Sequence, residues 1–347
     1  MKAVCIAGQL VGEGSRCFVI AEAGANHNRD LGMGKALIDV AVEAGADAVK
    51  FQTYSAETLY STKTPRFKYL EKVSGEDVYD LIHSIELPRG WQADLARYCA
   101  DKGIAFLSTP FDRAAVDELD ALAVPAFKVA SFEIVDLGLI RHVASKGRPV
   151  ILSTGMATYG EIQEAIDACR AAGSDDIVLL HCISLYPTPA RLVNLRAIPN
   201  MQAAFQRPVG LSDHTMGTAI PAAAVALGAS VIEKHYTLDR TLPGPDHPFA
   251  VEPDELKALV AGIRDVEQGL GDGMKAGPAP EEAEMFRLAR RSIVVARDVP
   301  AGKVLEEADL TVKRPGFGIK PNLLPFVVGR RAKRGLEYDD ILTWDMI

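Results

Sequence analysis

The chain has 347 residues, of which 48% are hydrophobic and 24% are charged, a composition typical of a globular protein with one large domain and a small appendage. Its formal net charge is −8, and the sequence contains no stripe of lysine and arginine residues. Both observations argue against a nucleic-acid partner. No apolar run reaches about 18 residues, so we expect no membrane-spanning helix.

Eight short apolar runs alternate with helical patterns such as GKALIDVAVEAGA and GEIQEAIDACRAAG. In chain order the runs are CFVIAE, AVKFQ, IAFLSTP, AFKVAS, VILST, IVLLHCIS, VGLSDH and VIEKHY. A strand–helix unit repeated eight times predicts a (β/α)8 TIM barrel, an α/β fold. Because the carboxyl ends of parallel strands form one rim, the polar residues that end these runs should converge there. The sequence therefore predicts an enzyme.

Four further segments complete the predicted organisation. Residues 1–16 favour a hairpin that closes the bottom of a barrel domain spanning residues 1–272. The connection from Tyr54 to Gly90 is long and polar, and we expect it to cover the rim. Residues 273–290 are rich in glycine and proline and then acidic, which is typical of a linker. Residues 291–347 form a small β-rich domain that should pack against another surface.

The amino-terminal residues and the cysteines predict the compartment. MKAVCIAGQLVGEGSR lacks a long apolar run and a small-residue cleavage pattern, so no secretory signal is expected. The five cysteines lack CxxC spacing, and most lie in strand or helix patterns, where cysteine is a small buried hydrophobe. A reducing, cytoplasmic location follows.

Two histidines end neighbouring strands: His214 ends the seventh in GLSDHT, and His235 ends the eighth in IEKHY. Adjacent strands lie about 4.8 Å apart, so both imidazoles could bind one divalent ion with the Glu22 carboxylate nearby. Such a set suits Mn²⁺, with Mg²⁺, Co²⁺ or Zn²⁺ as alternatives, and each histidine alone could instead be structural. We expect His181 to face the core or orient a neighbour, while His27 fits either the rim or a loop.

Lysines and serines at the strand ends predict an anion site. Lys50 and Lys128 lie within apolar runs, where an unpaired ammonium is costly to bury. Hydroxyls stand at the ends of four runs, namely Ser131, Ser153, Ser184 and Ser212. Together these groups suit a phosphate or a carboxylate, although a single serine could cap a helix and one lysine could reach solvent. In a competing interpretation, one lysine forms a Schiff base with a carbonyl substrate, as in aldolase barrels.

The loop after the eighth run presents a carboxylate on stiff backbone. Asp246 lies between Pro245 and His247 in GPDH. Its carboxylate could hold the hydroxyls of a sugar, and the alternative is a turn-forming role.

The motifs in this order resemble the sialic acid synthase family over nearly the whole chain. They are AEAGANHN, GADAVKFQTY, FLSTPF, FKVASFE, ILSTGM, LLHCISLYPTP, GLSDHT, IEKHYTLD and GPDH. VKRPGFG is similar to the antifreeze-like (SAF) domain of that family. The resemblance implies a transferase that condenses phosphoenolpyruvate with an open-chain N-acetylmannosamine-type sugar and water, giving N-acetylneuraminate or a close analogue plus phosphate.

The resemblance also implies a role for each matching residue. The implied catalytic carboxylates are Glu22, Glu133 and Glu233, and the implied metal ligands are His214 and His235. Phosphoenolpyruvate would contact Lys50, Lys128, Ser131, Ser153, Ser184 and Ser212. The sugar would contact Gln52, Thr109, Phe111, Tyr186 and Asp246, and Arg314 of the partner subunit in a domain-swapped homodimer.

Two departures from the family pattern leave the sugar open. CISLYPTP has Ser184 where N-acetylneuraminate synthases typically have an amide. VASFE resembles the pseudaminic acid synthases, whereas LLHC and GPDH resemble the neuraminic and legionaminic branches. The same reaction on a diacetamido-trideoxyhexose is therefore the first alternative. A Schiff-base aldolase without a metal and a non-catalytic carbohydrate-binding protein are the others.

Overall fold

The computed structural model describes residues 2–65 and 77–347, and the chain divides into the units Met1–Gly271 and Asp272–Ile347. Residues 66–76, which belong to the predicted cover over the rim, lie outside the described residues. Within the described part of the chain, no helix is long and apolar enough to cross a membrane.

An antiparallel hairpin precedes the main sheet of the first unit, with strands β1 Val4–Ile6 and β2 Gln9–Val11. Eight parallel strands follow within residues 2–65 and 77–347. They are β3 Phe18–Gly24, β4 Ala48–Thr53, β5 Ala105–Pro110, β6 Phe127–Val129, β7 Val150–Ser153, β8 Ile177–Cys182, β9 Val209–Asp213 and β10 Val231–His235. Strands β5 and β6 end the hydrogen-bonded order and lie against each other, so the sheet curves into a nearly closed barrel. The predicted TIM-barrel fold is confirmed.

Helices follow the strands, and most of them pack on the outside of the barrel. They are α1 Leu31–Ala44, α2 Ala56–Leu59, α3 Val78–Ile85, α4 Gln92–Lys102, α5 Arg113–Ala121, α6 Leu137–Ala144, α7 Tyr159–Ala171, α8 Ala197–Phe205, α9 Ala219–Ala226 and α10 Pro253–Gly269. Their ends follow ordinary capping rules. For example, Asp30 accepts a hydrogen bond from Met33 N at the start of α1, and Thr158 forms a capping box with Glu161 at the start of α7.

Alternation along the strands separates two apolar layers. On β10, Ile232 packs outward against the helices, whereas Val231 faces a smaller core inside the barrel. The hairpin residues Val4, Ile6 and Val11 belong to that inner core, so the hairpin packs into one end of the barrel. The opposite end, where the strands finish, is left for polar side chains.

The second unit has its own small core around β11 Ser292–Val295 and β12 Leu310–Lys313, which pair antiparallel. Its helices are α11 Ala283–Leu288, which lies within the predicted linker, and α12 Leu324–Val327. Asp309 is fully buried in this unit, where its carboxylate accepts hydrogen bonds from Lys303 Nζ at 2.7 and 2.9 Å and from Arg297 Nε at 2.7 Å.

Candidate active site

A cavity of about 700 Å³ opens at the carboxyl ends of the barrel strands. Most of the site residues predicted in the barrel line it together. They are Glu22, Lys50, Gln52, Thr109, Phe111, Lys128, Ser131, Glu133, Ser184, Tyr186, Ser212, His214, Glu233, His235 and Asp246. Ser153 is buried at the end of β7 but is not among the lining residues, and Arg314 directly follows β12 in the second unit.

The cavity floor is a buried network of two lysines and two glutamates. Lys50 Nζ lies 2.6 Å from Glu22 Oε2 and 3.7 Å from Glu233 Oε2, and Lys128 Nζ lies 3.4 Å from Glu233 Oε1. All four side chains are at most 6% exposed. Strand register produces this arrangement, because Glu22 is opposite Lys50 on β4 and opposite His235 on β10. The lysines are therefore buried and paired, and neither extends to solvent.

Neutral donors complete the network. Gln52 Nε2 donates to Glu22 Oε1 at 2.8 Å, and Ser212 Oγ donates to Glu233 Oε1 at 2.8 Å. Lys50 Nζ also donates to Thr109 Oγ1 at 2.9 Å. These bonds fix the positions of both carboxylates at the floor.

The two floor carboxylates differ in acidity. Burial and the neighbouring Glu233 raise the pKa of Glu22, although Lys50 offsets part of that effect. Burial would raise the pKa of Glu233 as well, but Lys128 and Lys50 together lower it. The two lysines therefore favour the charged form of Glu233, whereas burial favours the protonated form of Glu22.

Glu133 is a third carboxyl group at the cavity wall, in the turn after β6. Burial raises its pKa to about 7, against a smaller lowering by Lys128. Its Oε2 atom is buried without a hydrogen-bond partner. A carboxyl group of this kind is suited to exchange a proton with a bound molecule.

Serine hydroxyls gather where β6, β7 and β8 end. Gly155 N donates to Ser131 Oγ at 3.0 Å, and the hydroxyls of Ser153 and Ser184 are buried without hydrogen-bond partners. A Cβ atom on Gly155 would lie 2.4 Å from Ser184 Oγ and 2.8 Å from Ser131 Oγ, so only glycine permits this approach. Sequence reasoning found the serines but missed the glycine between them, whose only signal is its place in STGM.

The imidazoles of His214 and His235 lie side by side, with ring centroids 5.4 Å apart. His214 Nδ1 is 3.0 Å from Ile183 O, and a carbonyl only accepts, so Nδ1 carries a proton. Burial acts to lower the pKa of this imidazole, but Cys182, Ile183 O and Glu233 together raise it. Burial lowers the pKa of His235 well below its usual value, which keeps that ring neutral. His235 Nδ1 is buried without a hydrogen-bond partner, 3.6 Å from Asp246 Oδ2.

These observations fit a divalent metal ion. A ligand imidazole must be neutral, and an unpartnered buried nitrogen beside a carboxylate is costly unless something binds it. Among residues 2–65 and 77–347, no group of three or more His, Cys, Asp or Glu side chains forms a complete metal site. The residues that would hold a metal here are His214 and His235.

Above the polar floor, one side of the cavity is apolar. Five residues from the end of α2 and from α3 line it, and we call them the α2–α3 wall: Leu59, Tyr60, Leu81, Ile82 and Ile85. Leu81 packs with Val78, Tyr60 and Ile82 in a small cluster separate from the barrel cores. Sequence reasoning expected a cover in this connection but did not identify its apolar lining.

The other histidines singled out in the sequence have structural contacts. His181 Nε2 lies 2.6 Å from Val193 O, and His27 Nδ1 accepts a hydrogen bond from Arg29 N at 3.0 Å. His247, which was not singled out, lies with Nε2 3.1 Å from Asn28 Oδ1 and Nδ1 2.6 Å from Thr237 Oγ1. It ties the loop after β3 to the loop that carries Asp246.

A buried ion pair behind the imidazoles was also missed by the sequence analysis. Lys234 and Asp213 are each 1% exposed, and they face the helix side of the sheet, away from the cavity. Asp213 also accepts hydrogen bonds from Thr215 N at 3.1 Å and from Thr215 Oγ1 at 3.0 Å. Lys234 Nζ donates to Thr215 O as well.

A nearly closed parallel barrel with acids, lysines and paired imidazoles at the ends of its strands has the architecture of a barrel enzyme. The NeuB family model matches residues 37–275, and the SAF domain model matches residues 290–347. The chain therefore belongs to the NeuB family and carries a carboxyl-terminal SAF domain.

Three relatives each match most of this chain. The chain is 42% identical to N,N'-diacetyllegionaminic acid synthase of Legionella pneumophila, covering 97% of this chain and 96% of that protein. It is 36% identical to pseudaminic acid synthase of Helicobacter pylori, covering 95% of this chain and 97% of that protein. The crystal structure of N-acetylneuraminic acid (sialic acid) synthetase from Leptospira borgpetersenii superposes with a TM-score of 0.72 at 35% identity, covering 82% of this chain and 95% of that one. These relatives are synthases, and the chain is an enzyme of the same family.

Proposed function

We propose that this chain is a transferase that condenses phosphoenolpyruvate with an open-chain, N-acylated mannosamine-type sugar and water, giving a nonulosonic acid and phosphate. The sugar is either N-acetylmannosamine or a diacetamido-trideoxyhexose, in line with the acids named for its relatives. The observation that carries the proposal is the cavity floor, where two lysines face two carboxylates of different acidity beside two neighbouring imidazoles.

Phosphoenolpyruvate would bind where the charges and free hydroxyls already lie. Lys50 and Lys128 supply cations for its carboxylate and phosphate, and the unpartnered hydroxyls of Ser153 and Ser184 supply donors. Ser131 and Ser212 complete the set at the ends of neighbouring strands. Since Lys50 and Lys128 are now paired with Glu22 and Glu233, the arriving anion competes with those carboxylates for the same cations.

His214 and His235 would hold a divalent ion, for which Mn²⁺ is our first expectation. When bound, such an ion acts as a Lewis acid toward an aldehyde oxygen. The chain's own contribution is to keep the His235 ring neutral and to hold a proton on Nδ1 of His214 through Ile183 O, which leaves Nε2 of His214 as the atom that would face an ion.

The sugar would lie over this floor with its aldehyde near the imidazoles. Gln52, Thr109 and Asp246 offer hydrogen-bonding groups, and the rings of Phe111 and Tyr186 offer apolar faces. Burial raises the pKa of Asp246, and Gly24 leaves room for its carboxylate, because a Cβ there would lie 2.7 Å from Oδ2. We therefore assign to Asp246 a hydrogen bond with a hydroxyl group of the sugar.

The bond changes assign a role to each carboxyl group. The methylene carbon of phosphoenolpyruvate forms a bond with the aldehyde carbon, and the aldehyde oxygen takes a proton that Glu22 can supply. Water adds to the carbon that bears phosphate and gives its proton to Glu133, whose pKa of about 7 suits a base at neutral pH. The carbon–oxygen bond to phosphate then breaks as the hydroxyl of the tetrahedral intermediate becomes the carbonyl group of the product, and the hydroxyl proton leaves with phosphate. Glu233 stays beside both lysines throughout.

We further propose a homodimer in which the SAF domain of each chain reaches the partner's barrel and brings Arg314 of the partner subunit to the sugar. A guanidinium can donate several hydrogen bonds to an N-acyl carbonyl, which supports that role. The antiparallel pair β11–β12 places Arg314 directly after a strand of the small unit.

The test is a substrate panel with the full-length chain. Phosphoenolpyruvate and Mn²⁺ are offered with N-acetylmannosamine or with each of two diacetamido-trideoxyhexoses, while phosphate release is followed and the product is identified by its mass. We expect one equivalent of phosphate per nine-carbon acid, and inactivation by a chelator. Absence of phosphate release with every sugar would overturn the proposal. Borohydride trapping of a lysine with pyruvate would favour the Schiff-base alternative.

A further inference from the structure

We propose that the Ser292 hydroxyl and the Arg287 carbonyl group are positioning groups for Arg314. They hold the segment that we call the RPGFG turn, residues 314–318, in the shape that presents the Arg314 guanidinium. Helix α11, whose sequence is typical of a linker, then contributes to sugar binding. The inference rests on the proposed function, which brings Arg314 of the partner subunit to the N-acyl group of the sugar.

The Arg314 side chain is exposed and has no partner in the part of the chain that the structure describes, residues 2–65 and 77–347. The residue before it, Lys313, ends β12 and is held by Asp339, with Nζ 2.5 Å from Oδ1. The strand is therefore anchored up to Lys313, whereas the next guanidinium remains available for a ligand. Its position depends on the turn that follows.

One buried hydroxyl bonds to both ends of that turn. Ser292 opens β11 and is fully buried, and its Oγ donates to Pro315 O at 2.7 Å and accepts from Gly318 N at 2.8 Å. The hydroxyl thus uses its donor and an acceptor site on the same turn. In addition, Ile293 N donates to Ile319 O at 2.8 Å. The turn is therefore attached to the first strand of the small unit through two adjacent residues.

Helix α11 holds the middle of the turn. Gly316 N donates to Arg287 O at 2.7 Å, and the Arg287 guanidinium carbon lies 5.7 Å from the centroid of the Phe317 ring. A Cβ atom on Gly316 would lie 2.7 Å from Arg290 Cβ and 3.1 Å from Arg287 O, so only glycine permits this approach. The segment predicted as a linker is therefore packed against the turn.

An ordered turn lowers the entropy cost of using Arg314. With the backbone already fixed, only the torsions of the side chain lose freedom when the guanidinium binds. Without the Ser292 hydroxyl, Pro315 O loses its donor and Gly318 N loses its acceptor, so the turn relaxes toward water. A shift of about 1 Å in a group that holds a substrate is enough to weaken its contact. Ser292 therefore acts on the sugar through Arg314 and does not touch the sugar itself.

The main test is a double-mutant cycle on the full-length chain, with Ser292→Ala, Arg314→Ala and both changes together. Ser292→Ala should lower kcat/KM for the preferred sugar about three- to tenfold, the loss expected for one hydrogen-bonding group, while KM for phosphoenolpyruvate stays the same. In the Arg314→Ala background the same change should cost nothing more, because the group that it positions is absent. Losses that add in the double variant would overturn the inference, since Ser292 would then act independently of Arg314.

Two further variants separate positioning from stability. Gly316→Ala should move the turn away from α11 and lower kcat/KM for the sugar as Ser292→Ala does. Asp309→Asn is the control, because it alters a buried carboxylate of the same unit that bonds to Lys303 and not to the turn. It should unfold more easily and keep the kcat/KM of the parent chain. Equal losses in Asp309→Asn and Ser292→Ala would assign the effect to the stability of the unit, and the inference would be wrong.

Hydrogen exchange supplies a readout that needs no catalysis. In the full-length Ser292→Ala chain, the amides of residues 316–319 should exchange about tenfold faster than in the parent chain, while β12 stays protected. Unchanged exchange would overturn the inference even where the chain condenses its substrates. A parent chain that releases no phosphate with any sugar would contradict the proposed function, and the exchange rates would still decide whether Ser292 holds the turn.

Discussion

Lys234 and Asp213 lie opposite each other on β10 and β9, and Lys234 Nζ is 2.5 Å from Asp213 Oδ2. Each of the two has a cavity residue on both sides in the sequence. Asp213 lies between Ser212 and His214. Lys234 lies between Glu233 and His235. The pair lies on the helix side of the sheet and joins the ends of β9 and β10. The residues next to the pair in sequence face the cavity on the other side. We infer that it is a positioning pair for the two imidazoles.

Lys234→Met should weaken both the fold and metal binding. The change leaves the Asp213 carboxylate buried without its cation, which typically costs about 3–5 kcal/mol. It also loosens the strand ends, so Mn²⁺ affinity should fall about 10- to 100-fold, as for other supporting groups around metal ligands. Urea unfolding measures the first effect and calorimetric Mn²⁺ titration measures the second.

Two comparison variants sharpen that prediction. Lys102→Met removes a partly exposed partner of Asp39, and its unfolding midpoint should stay where it is. Lys234→Met combined with Asp213→Leu should recover part of the stability, because no unpaired charge remains buried. Unchanged Mn²⁺ affinity in Lys234→Met would assign the pair to stability alone.

His214→Ala and His235→Ala should each abolish specific Mn²⁺ binding while the chain stays folded. Residues at the carboxyl rim seldom support the core of a barrel, so the melting temperature should change little. Electron paramagnetic resonance of free Mn²⁺ gives the affinity independently of turnover. His181→Ala is the control, because its ring bonds to Val193 O and does not line the cavity. Wild-type affinity in either rim variant would contradict the metal assignment.

Lys50→Met and Lys128→Met should raise KM for phosphoenolpyruvate at least about tenfold, since a hydrogen bond to a charged group is worth about 1.5–3 kcal/mol. KM for the sugar should change far less. Lys50→Met should be the more severe, because Lys50 contacts both Glu22 and Glu233. Its loss should also raise the pKa of Glu22 further, so the pH–rate profile should move to higher pH. An effect confined to the sugar would mean that the two substrate positions are reversed.

The small unit should lose stability in acid through Asp309. Burial alone would raise the pKa of this carboxyl, but the bonds from Lys303, from the Glu306 amide and from Arg297 lower it to about 2. In the unfolded chain the value is about 3.9, so the carboxylate stabilises this unit by about 2 kcal/mol above pH 5. That contribution declines below about pH 4 and is lost as pH falls through about 2.

Trp344 can report on that unit. The chain has two tryptophans, so a Trp91→Phe background leaves Trp344 as the remaining fluorophore, and denaturant unfolding can be followed between pH 7 and pH 2. Asp309→Asn should unfold more easily at pH 7 and should show a flatter response between pH 4 and pH 2. A response as steep as that of the parent chain would assign the acid sensitivity to other carboxylates.

Assembly between subunits can be tested by complementation. An Arg314→Ala chain and a Glu22→Ala chain should each be nearly inactive, and their mixture should regain activity after subunit exchange. In the mixed dimer, one site has both the intact Glu22 and the partner's Arg314. Exchange is followed by native mass spectrometry. Mixtures that have exchanged and remain inactive would show that Arg314 does not act across subunits.

The barrel fold and most residues of the cavity floor could be predicted from the sequence. The reason is that the apolar pattern of each strand, and the position where the strand ends, are local properties of the sequence. Glu22, Lys50 and His235 each end an apolar run, and parallel strands must bring such ends together. Lys234 and Asp213 were missed for the opposite reason. Their pairing depends on the register between β9 and β10, which tertiary packing sets, and each lies next to a residue with a more obvious role.

The apolar wall shows a second limit. Ile82 and Ile85 on α3 have the spacing of any amphipathic helix, which predicts a buried face but not what that face covers. Asp309 likewise appears in sequence as one acid among several, and only the fold brings Lys303 and Arg297 to it. The sequence therefore predicted which residues lie at the strand ends. It did not predict which particular side chains from distant segments form pairs, such as those of Asp309.

The α2–α3 wall belongs to a connection, whereas the acids, lysines and imidazoles belong to the strands. Substitutions in that connection can accumulate without moving Lys50, Glu233 or the histidines, since the wall has its own packing cluster. The bond-forming chemistry that we propose for the floor could therefore stay constant while the residues of the wall vary. For the protein engineer, the described residues of the α2–α3 wall can be exchanged while the barrel, with the floor that it carries, is kept unchanged.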